Sequence, residues 1–233
     1  MSRHPRVIVV NNDDPDSDYG ATHLAEAFAG SFDSEIVSPV GGIPHPERWI
    51  DERGVDAIVL SGSDRSLKEA LPWMLEEEAL LRAAVAGRVP VLAVCFGHQL
   101  LGEAFGAGLV TREKRVGLFE VTLVGSDPAF DGLAGVAVVP EQHADQLSAV
   151  PDGFRLIATS DYCPIQAIRH DVAPVYGIQF HPCYGEGVFE VDEEWEKLAA
   201  LRGRFHHDGA RVLANVSRLF AGLVKERGIG GTR

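Results

Sequence analysis

The sequence is short of cysteine, of lysine and of uninterrupted apolar runs, and each shortage excludes something. Its three cysteines are an odd number spread over 233 residues, which makes no disulfide framework and fits no metal-ligand spacing. No apolar run is long enough to cross a bilayer, and residues 1–6 lead straight into a strand pattern rather than a secretory h-region, so a cytoplasmic chain with no membrane attachment is expected. No glycine-rich loop followed by Lys-Ser or Lys-Thr occurs, so there is no recognisable ATP-binding segment. Only four of the 21 basic residues are lysine, and 34 acidic residues bring the net charge to −13. That balance argues against a nucleic-acid-binding surface. A high-salt source and an ordinary acidic enzyme are both compatible with it.

What is present is enough apolar material, 45% of residues, to bury a full core in one domain spanning 1–233. Short β-branched runs at 6–10, 57–60, 89–94 and 175–180 alternate with helical patterns at 21–28, 73–86 and 210–225. Such alternation predicts an α/β fold whose sheet is open and mostly parallel, with helices on both faces. In the helix at 73–86, Glu76, Glu77 and Glu78 are expected to face outward. Two runs at 109–111 and 117–124 predict further strands, the second an antiparallel excursion. The acidic stretch Asp13, Asp14, Asp16 and Asp18 reads as a solvated turn, the alternative being a metal site with no accompanying histidine. Residues 191–205 predict an acidic amphipathic helix anchored by Trp195, Leu198 and Leu201, within an extra helical stretch at 186–207. The glycine-rich tail at 228–233 is expected to fray.

The most informative stretch runs from Val89 through Cys95-Phe96-Gly97-His98-Gln99 to Phe105, where a strand stops at Cys95 and a helix begins at once. Ala93 and Gly97 are small enough for a sharp turn that projects Cys95, in the manner of a nucleophile elbow. A helix N-terminus favours thiolate over thiol, so a lowered pKa is expected for Cys95. The alternative is a small buried residue closing a parallel strand. A second run, Gly177-Ile178-Gln179-Phe180-His181-Pro182, offers His181 as a base at a strand's carboxyl end.

Together, Cys-Phe-Gly-His-Gln-Leu-Leu at 95–101 and Gln-Phe-His-Pro at 179–182 resemble the class I glutamine amidotransferase family, in particular the stand-alone glutaminase part of GMP synthetase. The resemblance covers about 58–220. It implies a flavodoxin-like sheet and a cysteine nucleophile that releases ammonia from glutamine. On it, Gly62 and Phe96 supply the oxyanion-hole amides, Gln99 lines the pocket for the amino-acid end of glutamine, and Gln142 and His143 belong to a loop at 141–145 beside the substrate. His143 as a second base is the alternative. No cofactor or metal is implied. Lacking a nucleotide site, the chain would need a separate synthetase subunit to accept the ammonia.

The sequence departs from the family at Ser63, where a second glycine is usual, and at Cys183, where the family has the glutamate that orients the histidine. A thiol cannot support an imidazolium as a carboxylate does. Either a Cys95–His181 dyad works alone or another acid substitutes, Glu186 being nearest in sequence; a surface-turn glutamate is the other reading of Glu186. Two further functions fit the same residues: a γ-glutamyl cysteine hydrolase that needs no partner, and a non-catalytic regulatory homologue.

Overall fold

A computed structural model describes residues 3–14 and 17–229. These residues build a nine-stranded sheet in the order β2-β1-β3-β4-β9-β8-β7-β5-β6. One half is parallel: β1 (Arg6–Val10), β2 (Asp33–Val37), β3 (Ala57–Leu60), β4 (Val91–Val94) and β9 (Val175–Ile178). The other half is antiparallel, running through β8 (Ala167–His170), β7 (Phe154–Thr159), β5 (Leu109–Leu123) and β6 (Val136–Leu147). The sheet is therefore mixed rather than mostly parallel. The expected excursion has grown into half the sheet.

The inner parallel strands read as unbroken apolar runs because both faces are covered. Side chains alternate across a strand, so Val7 and Val9 join Val59, Leu92 and Val94 on one face, while Ile8 and Val10 join Ile58, Leu60 and Val91 on the other. The first face packs α1 (Tyr19–Phe28) and α7 (Gly209–Ile229), through Leu24, Phe28, Val212 and Phe220. The second packs α2 (Pro46–Glu52), α3 (Pro72–Ala86) and α4 (Phe96–Ala104), through Trp49, Leu80, Leu81 and Leu100. Each such fully buried aliphatic side chain stabilises the fold by about 1.5–3 kcal/mol.

Several boundaries differ from the sequence reading. The runs at 109–111 and 117–124 are one strand, β5, whose register on β6 shifts between Thr111 and Arg115. The stretch 141–145 is the middle of β6, not a loop. The acidic stretch predicted as one amphipathic helix is two single-turn helices, α5 (Val188–Val191) and α6 (Glu193–Glu196), followed by a 3₁₀ turn at Ala199–Leu201. The cause of the break is Asp192, whose extended backbone ends α5 while its carboxylate accepts from the amides of Glu194 and Trp195. Val188, Phe189, Trp195 and Phe205 form a small core of their own there.

Glu77 also departs from expectation, being fully buried on α3 rather than outward. No described helix is long and apolar enough to cross a membrane. Residues 230–233 of the predicted frayed tail, and Pro15 and Asp16 of the acidic stretch, lie outside the described residues.

Candidate active site

β4 and β9 are neighbours, in register at Val94 and Ile178, and the chain continues from their carboxyl ends into Cys95 and His181. Cys95 precedes α4 with φ 50° and ψ −105°, a left-handed conformation that a non-glycine residue adopts only under constraint. Two hydrogen bonds supply the constraint: its amide donates to Ile178 O at 2.8 Å, and its carbonyl accepts from Gln99 N at 3.0 Å. Gly97 is needed at the turn, since a Cβ there would stand 2.7 Å from Leu60 Cβ.

Gly62 follows β3 and lies between the side chains of Cys95 and His181. A Cβ on Gly62 would lie 2.9 Å from His181 Cε1 and 3.4 Å from Cys95 Cβ, so only glycine leaves the approach open. The Phe96 amide faces the Cys95 sulfur. One carbonyl meets both side chains: Gln142 O accepts from Cys95 Sγ at 3.9 Å and lies 3.4 Å from His181 Nε2. With the proton on Nε2, Nδ1 is the nitrogen free to act as base.

The electrostatics differ from the expected thiolate. Burial pushes the Cys95 thiol up to about 12, outweighing the Phe96 amide that favours the anion. Burial likewise drives His181 down to about 3, helped by His143 and opposed by the Gln142 carbonyl and Asp192. The resting pair is thus neutral thiol and neutral imidazole. The helix terminus does not win because Cys95 is 4% exposed.

The other residues singled out by sequence fall into place as follows. Gln99 Nε2 is held by Asp145 O at 2.8 Å and Gln179 Oε1 at 3.3 Å. Gln142 has its side chain fully engaged, donating to Asp192 at 2.7 Å and accepting from Trp195 Nε1 at 2.7 Å and Tyr184 Oη at 3.3 Å. His143, the next residue of β6, points the opposite way, beside Glu141 at 3.4 Å and against Tyr162. Glu186 is exposed, and its carboxylate accepts from Gly203 N at 2.8 Å. Cys183 is buried among apolar side chains of the α1–α7 face, with its thiol pushed up to about 12.

Sequence reasoning missed Gln179, whose Nε2 lies 3.6 Å from Cys95 Sγ, although it sits inside the quoted Gln-Phe-His-Pro motif. It also missed Tyr184, stacked on the His181 ring at 4.3 Å, and Asp192, for which the only local signal was a helix-capping Asp. Above Gly62 and His181 opens a cavity of about 530 Å³ whose wall includes Asp13, Asp18, Asp64 and Asp192 but no lysine or arginine. Burial there raises Asp13 to about 6, with Asp64 and Asp14 adding to the effect. Among the described residues no three His, Cys, Asp or Glu are placed to hold a metal ion.

Comparison with known proteins gives a consistent set of likenesses. Residues 7–190 match the family described as glutamine amidotransferase class-I. A glutamine-hydrolysing GMP synthase subunit of Methanosarcina mazei is 32% identical over 183 residues, covering 77% of this chain and 88% of that protein. The corresponding subunit of Thermococcus kodakarensis is 40% identical over 95 residues, covering 40% of this chain; there the match spans only about half of the relative, 50%. Among solved structures, a putative GMP synthase subunit from Thermoplasma acidophilum superposes with a TM-score of 0.75 at 23% identity, covering 98% of this chain and all of that one, 100%. A glutamine amidotransferase from Thermotoga maritima gives 0.70 at 20% identity, covering 97% and 98%. At these identities the structural likenesses speak for the fold.

Proposed function

The chain belongs to the class I glutamine amidotransferase family, and from that premise we propose that it hydrolyses the side-chain amide of glutamine through a cysteinyl thioester and passes the ammonia to a separate synthetase. The observation that carries this reading is the elbow: Cys95 in a left-handed backbone, beside His181 across Gly62.

In the proposed cycle, substrate binding brings the amide carbon to Cys95. The thiol proton passes to His181 Nδ1 as sulfur attacks, and the carbonyl oxygen takes negative charge near the amides of Phe96 and Gly62. Collapse breaks the C–N bond, and the imidazolium returns its proton to the departing ammonia. His181 then takes a proton from water, which attacks the thioester and releases glutamate and free thiol. Because both groups rest neutral, the Cys95–His181 pair itself carries no charge before substrate arrives. The relatives are named as subunits of a GMP synthase, which supports a synthetase partner as acceptor.

A second reading has one observation in its favour. The cavity of about 530 Å³ is of a size that holds whole small-molecule ligands, and its wall carries carboxylates without lysine or arginine. A γ-glutamyl amide with a larger, cationic amine would fill it, which describes the partner-free hydrolase.

Purified protein incubated with glutamine, with and without its synthetase, tests both. Ammonia release that Cys95→Ala lowers by roughly 10³-fold or more supports the first reading. Amine release from γ-glutamyl amines with none from glutamine supports the second, and neither product sinks both.

A further inference from the structure

Every carboxylate expected to steady His181 is absent or engaged elsewhere: position 183 is a thiol in the core and Glu186 holds the Gly203 amide. The imidazole instead meets the main-chain carbonyl of Gln142, 3.4 Å from Nε2, and that residue is gripped through its side chain. Asp192 Oδ2 accepts from Gln142 Nε2 at 2.7 Å, while Trp195 and Tyr184 donate to Gln142 Oε1 at 2.7 and 3.3 Å. Tyr184 in turn stacks on the imidazole, with ring centroids 4.3 Å apart and planes 20° from parallel. Resting on the function proposed above, we infer that Asp192 is the positioning residue of this site, acting through Gln142 to hold His181 in the Nε2–H form with Nδ1 free.

Three features of Asp192 support that role. It lines the same cavity as His181, so its charge reaches the ring across little intervening protein. Its two oxygens divide their work, Oδ1 capping the amides of Glu194 and Trp195 at 2.8 and 3.1 Å and Oδ2 facing Gln142. The cap also fixes where Trp195 begins, and Trp195 is the second clamp on the same glutamine. A carboxylate that orients a histidine is ordinarily in direct contact with it and supplies both tautomer control and charge. Here a peptide carbonyl controls the tautomer, and the charge sits one residue further out.

Asp192→Asn separates the two tasks. Asparagine keeps an oxygen for the cap but turns an NH₂ group toward the NH₂ of Gln142, breaking that link alone. In ¹⁵N-histidine-labelled protein, wild-type His181 should give the signals of a single Nε2–H tautomer, and Asp192→Asn a mixture of tautomers. Turnover of glutamine should fall on the order of 10- to 100-fold with KM little changed, less than the roughly 10⁴-fold seen when a directly bonded triad carboxylate is neutralised. Asp192→Glu should restore most of it. Should Asp192→Asn fail to fold, Gln142→Met, which removes the gripped amide and keeps the carbonyl, must give the same mixed tautomers. An unchanged tautomer in the folded variants overturns the inference, even where activity drops. Wild type that shows the single tautomer but makes no ammonia from glutamine overturns only the function on which it rests.

Discussion

Glu77 shows how far one residue can run against its local pattern. It follows Glu76 and precedes Glu78 on a helix whose acidic side was expected in solvent, yet both its oxygens are buried without a donor, as is Asn12 Oδ1. Burial raises its carboxyl from 4.5 to about 8, while contact with Asn12 opposes the rise. A protonated Glu77 has a hydrogen to give, and Asn12, bonded in turn to Ser61 beside Gly62, can take it. From about 4.5 upward the unfolded chain releases a proton that the folded chain keeps until about 8. The Glu77 contribution to stability should therefore fall as pH rises through that window, by roughly 1.4 kcal/mol per unit, and level off above it. Urea unfolding of wild type and Glu77→Gln across the window should show this slope in the difference between them, with Glu77→Gln the more stable protein at the alkaline end. Parallel slopes would mean that Glu77 is ionised in the folded state.

Among the elements, those with one dominant local cause were legible. The parallel strands show as β-branched runs because both faces are buried, and the turn before α4 shows because small residues flank Cys95. Gly97 carries that turn: a Cβ would sit 2.7 Å from Leu60 Cβ and 3.2 Å from Ser61 O. Gly97→Ala should cost about 1–3 kcal/mol in chemical denaturation, the range for overpacking, and lower glutamine turnover by pushing the Phe96 amide out of line. Equal stability would show that α4 can shift without penalty. Elements fixed by distant partners were not legible. β6 carries Pro140 and a polar run that reads as loop; its strand form comes from pairing with β5 along most of its length. The stretch at 191–205 has helical spacing, but Asp192 restarts the helix, and its link to Gln142 spans 50 residues of sequence. Cys95, His181 and Gly62 could be read from motifs; the surroundings that set their protonation could not, since burial is a property of the assembled fold.

For the whole molecule the governing quantity is charge. A net −13, with four carboxylates around the cavity and no lysine or arginine in its wall, gives repulsion that folding must overcome at low ionic strength. Raising salt from about 10 mM to about 0.15 M shortens the screening length from roughly 30 to 8 Å. Scanning calorimetry should then find a stabilisation on the order of 1 kcal/mol, about 2–4 °C in Tm for a chain of this size. A Tm independent of salt would mean that local ion pairs such as Arg65–Asp14 and Arg169–Asp127 already neutralise the field.

The pairing of β4 with β9 carries a last consequence. Cys95 and His181, the proposed nucleophile and base, lie just beyond neighbouring strands of one ladder, which is locked at Val94 opposite Ile178 and by the bond from Cys95 N to Ile178 O. A ladder has no intermediate settings: its smallest slip is one residue, about 3.3 Å, and that slip also turns every side chain to the opposite face. The placement of Cys95 against Ile178 is therefore digital. Substitutions elsewhere in the sheet can weaken the fold by degrees, but they cannot shift this register by degrees; the two strand ends are either in register or apart.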